Sequence, residues 1–263
     1  MKITALVENK GTGGLKGVHG LSLYIETAEH KIIFDVGPDG TLFDNARTLG
    51  ISLAEADTVI ISHGHYDHGG ALARLLEINK TARVYVQRRA FERHYAKILL
   101  IKKDIGLDAA LAAHPQIVLT DGDFVIDGGL RLFTVTDTAK CHSSANDTLY
   151  AGDVPDKFAH EQNLIISGGA TALIMGCGHT GIVNIMEKAA QYAPGVCVGG
   201  YHLYNPTTKK TVPNALLDEI AAELSRWDVR YYTCHCTGED AFAYLSARVP
   251  NMAYLPCGGT VEI

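Results

Sequence analysis

Three histidines and an aspartate fall within six residues of ISHGHYDHGG: His63, His65, Asp67 and His68. Neutral imidazole and carboxylate are ligands that zinc, iron and manganese accept. In an extended chain, residues two apart point the same way. His63 and His65 can therefore grip one ion together, and Asp67 and His68, just beyond, can turn toward a second. Gly64, Gly69 and Gly70 allow tight backbone turns among crowded side chains. A histidine-rich surface turn is the bland alternative. Four potential ligands directly after the apolar run TVIIS speak against it. Other residues able to do chemistry lie downstream: His160 and Glu161 in HEQNL, Cys177 and His179 in GCGH, His202 in GGYH and His235 in CHC.

The elements that must position these residues read as a mixed αβ chain. KITALVEN, LSLYIETAEHKIIFDVG and Thr58–Ser62 carry strand patterns, and the histidine cluster follows the last of them as a loop. ALARLLEIN has helical spacing and ARVYVQ is a short strand. RRAFERHYAKILLIKKDIGLDAALAAHP reads as a helical insertion near 88–115. Its Arg88, Arg89, Arg93, His94 and Tyr95 are read as a solvated helix face in preference to an anion-binding one. Strands resume with QIVLTDGDFVIDGGLRLFTV, then NLIIS and TALIMGCGH, and residues 137–160 are loop-like. After His179 helices and strands alternate: GIVNIMEKAAQYA, GVCVGGYH, NALLDEIAAELSRW, RYYTCHC and EDAFAYLSARV. No repeat of fixed length is visible. Strand-rich stretches with helices outside suggest a layered α/β/β/α sandwich, a single domain over 1–263.

Composition narrows the function classes. Of 263 residues 47% are hydrophobic and 20% charged, the balance of a folded globular chain. A net charge of −6 without a basic run argues against nucleic-acid and membrane-surface partners. No apolar run reaches the length of a membrane span. The N-terminus turns polar too soon for a signal-peptide core, so a cytoplasmic location is expected. The six cysteines sit in a chain too large to need disulfide staples and are expected to be reduced thiols, one or two of them metal ligands. Cys234 and Cys236 flank His235. Neighbours in a strand alternate faces, so both are expected to point away from that imidazole and to pack in the core. No GxGxxG with a ribose-binding acid and no GxxxxGK[ST] is present, so nucleotide cofactors of those kinds are not indicated.

HxHxDH after a strand, preceded by Asp35 at the end of FDVG, resembles the metallo-β-lactamase superfamily. HEQNLII, GCGHTGIVNI, GGYHL and CHCTG look like a subgroup of metal-dependent hydrolases described as 7,8-dihydropterin-6-methyl-4-(β-D-ribofuranosyl)aminobenzene-5′-phosphate synthase-like. The resemblance implies a four-layer αββα sandwich with a dinuclear site between the sheet edges. It implies two divalent ions, zinc first, with manganese or iron as alternatives. His63 and His65 would bind the first ion, Asp67 and His68 the second. Cys177 would stand at the bridging position, with His179 or Asp153 of LYAGD as competitors, and His235 would be the last ligand. His160 would be the third ligand of the first ion, with Glu161 as its competitor. Asp35 would brace the loop by hydrogen bonds.

The expected function is a dinuclear metal-dependent hydrolase whose nucleophile is metal-bound hydroxide. Asp67 would orient it, with His179 and His202 assisting the oxyanion or leaving group. The expected substrate is a small molecule, phosphorylated or pterin-like, and assembly into a homo-oligomer is left open. Two rivals stand beside this reading: a synthase that condenses a pterin diphosphate, and a catalytically silent metal-binding or thiol redox-sensing module. An iron redox enzyme of the same fold is disfavoured, because its relatives tend to carry Glu where this chain has His65.

Overall fold

The architecture comes from a computed structural model that describes residues 1–98 and 100–263. In chain order its strands begin with β1 (Lys2–Val7), β2 (Ser22–Glu26), β3 (Lys31–Phe34), β4 (Thr58–Ile61), β5 (Arg83–Gln87), β6 (His94–Ile98), β7 (Ile101–Asp104) and β8 (Ile117–Thr120). They continue with β9 (Phe124–Val125), β10 (Leu130–Phe133), β11 (Leu149–Ala151), β12 (Val154–Pro155), β13 (Asn163–Ile166) and β14 (Ala172–Ile174). The last are β15 (Val196–Gly199), β16 (Tyr204–Asn205), β17 (Lys210–Thr211), β18 (Arg230–Thr233), β19 (Met252–Tyr254) and β20 (Thr260–Glu262). The helices are α1 (Thr41–Thr48), α2 (Tyr66–Gly69), α3 (Leu72–Ile78), α4 (Ile182–Ala189), α5 (Asn214–Leu224) and α6 (Glu239–Ser246).

The chain divides into two compact units. The first comprises Met1–His94, Asp104–Asp121 and Leu255–Ile263; the second comprises Tyr95–Lys103 and Gly122–Tyr254. In the first unit the sheet order is β20-β1-β2-β3-β4-β5-β8. It is antiparallel from β20 to β3 and parallel from β3 to β8. Helices α1 and α3 cover one face, burying Leu42, Phe43, Leu72 and Leu75 with Leu6, Ile33, Val59 and Val84. On the opposite face Ile3, Leu23, Ile25, Ile32, Phe34 and Ile60 are fully buried as well. Burial on both faces is why these strands read as near-continuous apolar runs.

The second unit repeats the plan. Its order is β19-β18-β15-β14-β13-β10-β9, antiparallel from β9 to β14 and parallel from β14 to β19. Helices α4, α5 and α6 are the crossovers that its parallel pairs require. They pack Ile182, Met186, Leu217, Leu224 and Leu245 onto Leu173, Cys197 and Tyr231. The helix patterns read from the sequence after His179 correspond to these three helices.

The helical insertion expected near 88–115 is not helical. The segment forms β6 and β7, flanked by short 3-10 turns at Arg88–Phe91 and Ala109–Ala113. β6 and β7 extend a four-stranded sheet of order β12-β11-β6-β7. Lys97 lies 4.6 Å from the Tyr150 ring centre and Lys102 lies 3.8 Å from that of Tyr95. Such pairs across a sheet stabilise strands, and tertiary pairing of this kind overrides the helix propensity of the Ala- and Lys-rich sequence. Leu99, within this expected insertion, lies outside the described residues.

Candidate metal centre

In each unit most of the candidate ligands lie just beyond the carboxyl ends of parallel strands, where open αβ sheets bind their ligands; His160, before β13, is the exception. In the first unit β4 ends at Ile61, and Ser62 to His65 form the loop leading into α2. His63, His65, Asp67 and His68 are all buried. The His63 ring lies 4.6 Å from that of His65 and 4.1 Å from that of His68, centre to centre. Asp35, just past β3, holds this loop. Its Oδ1 accepts from the Ser62 N–H at 2.7 Å, and its Oδ2 accepts from Ser62 Oγ at 2.7 Å. Oδ2 also meets His68 Nδ1 at 2.6 Å. The carboxylate thus puts the His68 proton on Nδ1 and leaves the lone pair on Nε2, the arrangement that orients a metal-ligating histidine. Asp67 Oδ2 lies 3.3 Å from His19 Nε2 and 3.9 Å from His68 Nε2.

His94 was not singled out as part of this cluster, and its placement corrects the solvated-face reading. It is 1% exposed, with its ring 5.8 Å from that of His65. Gly64 lets it approach: a Cβ there would come within 2.5 Å of the Ala90 carbonyl oxygen and 2.7 Å of His94 Nε2.

In the second unit, β14, β15 and β18 lead to Cys177, His202 and His235 respectively. Within this unit Cys177 belongs to more than one group of potential ligands. The ligand atoms of Cys177, His179 and His202 lie within 4.8 Å of one another, and so do those of Cys177, His235 and Cys236. His179 is fixed on three sides. Its Nδ1 meets Asn146 Oδ1 at 2.9 Å, its main-chain N–H donates to Glu161 Oε1 at 2.7 Å, and its ring stacks on Phe158 at 4.4 Å. His202 also contacts the His179 ring, at 4.1 Å. Both His202 ring nitrogens are buried without a hydrogen-bond partner. Both His202 and His235 adopt left-handed backbone, at φ 46° and 49°.

The competitors separate on their contacts. Glu161 spends both oxygens on the turn at His179 and Thr180, accepting 2.7 and 2.9 Å bonds from their main-chain N–H groups and a 2.6 Å bond from Thr180 Oγ1. Burial pushes its carboxyl up while these donors pull it down. It braces that turn as Asp35 braces the first-unit loop. His160 Nε2 meets Asp156 Oδ2 at 3.1 Å, both side chains buried, a carboxylate partner of the kind that fixes a ligand ring. Asp153, the alternative bridge, is excluded: its side chain is 91% exposed and pairs with Lys102 at 2.7 Å.

Cys236 is a second correction. It does not point away from His235 as a strand neighbour would. The strand stops at Thr233, and His235–Thr237 form a 3-10 turn that brings both residues into one triad. Burial alone would raise its thiol, but hydrogen bonds with Cys177 and His202 and the nearby imidazoles bring it well below the usual thiol range. The Thr-Gly after Cys-His-Cys was the sequence signal for a turn there. None of the six cysteines forms a disulfide, and five of them are buried.

These residues fit a divalent ion. In the first unit buried imidazoles gather with a carboxylate, in the second with thiols, and a histidine with two unpartnered ring nitrogens otherwise carries an uncompensated desolvation cost. Among the described residues no helix is long and apolar enough to cross a membrane.

Comparison with known proteins agrees with this chemistry. The sequence pattern of the metallo-beta-lactamase superfamily matches residues 15–154. An uncharacterised protein of Methanocaldococcus jannaschii is 26% identical over 99% of this chain and 100% of its own length. A second protein of that organism, named 7,8-dihydropterin-6-methyl-4-(beta-D-ribofuranosyl)-aminobenzene-5′-phosphate synthase, is 26% identical over 84% of this chain and 81% of its own. A crystal structure described as a metal-dependent hydrolase of the beta-lactamase superfamily shares the fold, with a TM-score of 0.84 and 24% identity. It covers 100% of this chain and 99% of that one.

Proposed function

This chain belongs to the metallo-β-lactamase superfamily, and on that premise we propose that it is a metal-dependent hydrolase of a small, phosphorylated or pterin-like substrate. The observation that carries the reading is His202, buried with both ring nitrogens unpartnered beside Cys177 and His179. The substrate class rests on the name of the synthase relative, which contains both a pterin and a phosphate.

Within the first unit His63, His65, Asp67 and His68 would serve as ligands; within the second, Cys177, His179, His202 and His235 would, with His160 as a further candidate. A bound divalent ion would supply acidification of a coordinated water toward about pKa 7 and polarisation of the oxygen under attack. The remaining work belongs to side chains. Asp67 orients the attacking water and accepts its proton, with His19 at 3.3 Å to share the charge. The Nδ1 proton of His179 is tied to Asn146, so Nε2 is the atom it presents. With the proton on Nδ1, Nε2 carries the lone pair, the form in which an imidazole serves as a ligand to a divalent ion.

Condensation of a pterin diphosphate is the second reading, favoured by the same relative's name. One assay sorts the alternatives: release of p-nitrophenol from p-nitrophenyl phosphate and bis-p-nitrophenyl phosphate by chelator-stripped chain before and after reloading with zinc. Hydrolysis should require metal, and Asp67→Ala should lower kcat by about 100-fold or more. Turnover without metal, or normal turnover in fully loaded Asp67→Ala, would sink the mechanism. Release of diphosphate from a pterin diphosphate given an arylamine acceptor would move the assignment to the synthase. Inactivity in both assays would favour a silent metal-binding module.

A further inference from the structure

We propose that Cys236 is a metal-ligating thiolate that completes, with Cys177 and His235, a sulfur-rich ligand set in the second unit. The proposal rests on the metal-dependent reading above and adds to it the nature of the donors.

Four observations carry it. The ligand atoms of Cys177, His235 and Cys236 lie within 4.8 Å of one another, and all three residues are at most 3% exposed. The sulfur of Cys236 accepts the His202 main-chain N–H at 3.2 Å, a donor that a thiolate keeps; its 3.4 Å bond to the Cys177 carbonyl belongs to the metal-free thiol and is given up with the proton on ligation. A packing cysteine looks different, as Cys197 shows; its sulfur meets only the thioether of Met175, at 3.8 Å, among its hydrogen-bonding contacts. The backbone is shaped around the Cys236 sulfur, since a Cβ at Gly200 would lie 2.5 Å from it. Thr237, whose Oγ1 accepts the Tyr201 N–H at 3.0 Å and bonds Thr233 Oγ1, pins the turn that presents the sulfur.

The independent pointer to a ligand is again His202. The residue that gives its main-chain N–H to Cys236 keeps a ring with two buried, unpartnered nitrogens, and that ring forms another triad around Cys177. Sulfur, imidazole and N–H···S donors together make a site for zinc or iron(II) and a poor one for magnesium, calcium or manganese. Ligation converts each thiol to thiolate, with its proton released to solvent.

The test is a titration of chelator-stripped chain with cobalt(II), reading the near-ultraviolet thiolate-to-cobalt charge-transfer band. Wild type should show it strongly. Cys236→Ser and Cys177→Ser should each lose roughly half its intensity per bound ion, one of two thiolates being removed in each. Cys197→Ser should leave it unchanged. X-ray absorption on zinc-loaded wild type needs no variant and should show sulfur scatterers at about 2.3 Å. Cobalt bound with no charge-transfer band, a band undiminished in Cys236→Ser, or nitrogen and oxygen scatterers alone would overturn the proposal while leaving the metal-dependent reading standing. Failure to bind cobalt or zinc at all would overturn both.

Discussion

Asp35 shows how a ligand loop can be set before any ion arrives. Three donors, from Ser62 and His68, converge on its two oxygens, and one of those bonds decides which nitrogen of His68 carries the lone pair. Asp35→Asn keeps the size but turns an acceptor into an N–H₂ group that faces the His68 proton. Metal affinity, measured by competition with a chromogenic chelator, should weaken about 10–100-fold with little loss of folding. An unchanged affinity would mean that His68 needs no such brace. The histidine cluster and Asp35 were legible in the sequence because their spacing survives any reasonable backbone. Cys236 was not. Its role depends on His235 standing at φ 49°, a conformation that costs about 1–3 kcal/mol and that strand alternation does not anticipate.

At the scale of elements, Asp35, His63, Cys177, His202 and His235 each follow a strand with a parallel neighbour, while His160 precedes the antiparallel β13, and some of the loops involved are built by close approach. Gly64 is the clearest case. Gly64→Ala would drive a methyl group into the Ala90 carbonyl and the His94 ring. It should destabilise the chain by about 1–3 kcal/mol, read from the midpoint of urea unfolding. A midpoint equal to wild type would show that the loop yields freely. The helices after His179 were legible because their apolar periodicity coincides with real burial against a sheet. The 88–115 segment was not, because its strands owe their existence to partners distant in sequence, Lys97 to Tyr150 among them. Nothing local distinguishes those residues from a helix.

At the scale of the whole molecule, two sheets repeat one plan, antiparallel on one side and parallel on the other, with no matching period in the sequence. Topology recurs through strand order rather than through residues. The chain ends are drawn into the first unit, where β20 pairs with β1 and Cys257 is buried beside Asn45. Burial, with the Glu8 carboxylate, raises the Cys257 thiol from 9.0 to about 11. An acid whose folded value is raised contributes stability fully below its unfolded value, and that contribution is lost as pH climbs through the folded one. Between about pH 9 and 11 wild type should therefore lose more stability than Cys257→Ala, which has no proton to give up, in urea unfolding at stepped pH. Parallel declines would contradict the assignment.

On the proposed reading these clusters hold metal. Its most direct test is metal content per chain by mass spectrometry, on protein purified without added metal, for wild type beside a His63→Ala/His65→Ala variant shown to be folded by circular dichroism. The expected result is about two divalent ions per wild-type chain and a clear drop in the variant. A metal-free wild type, or a metal content that the double substitution leaves untouched, would contradict it.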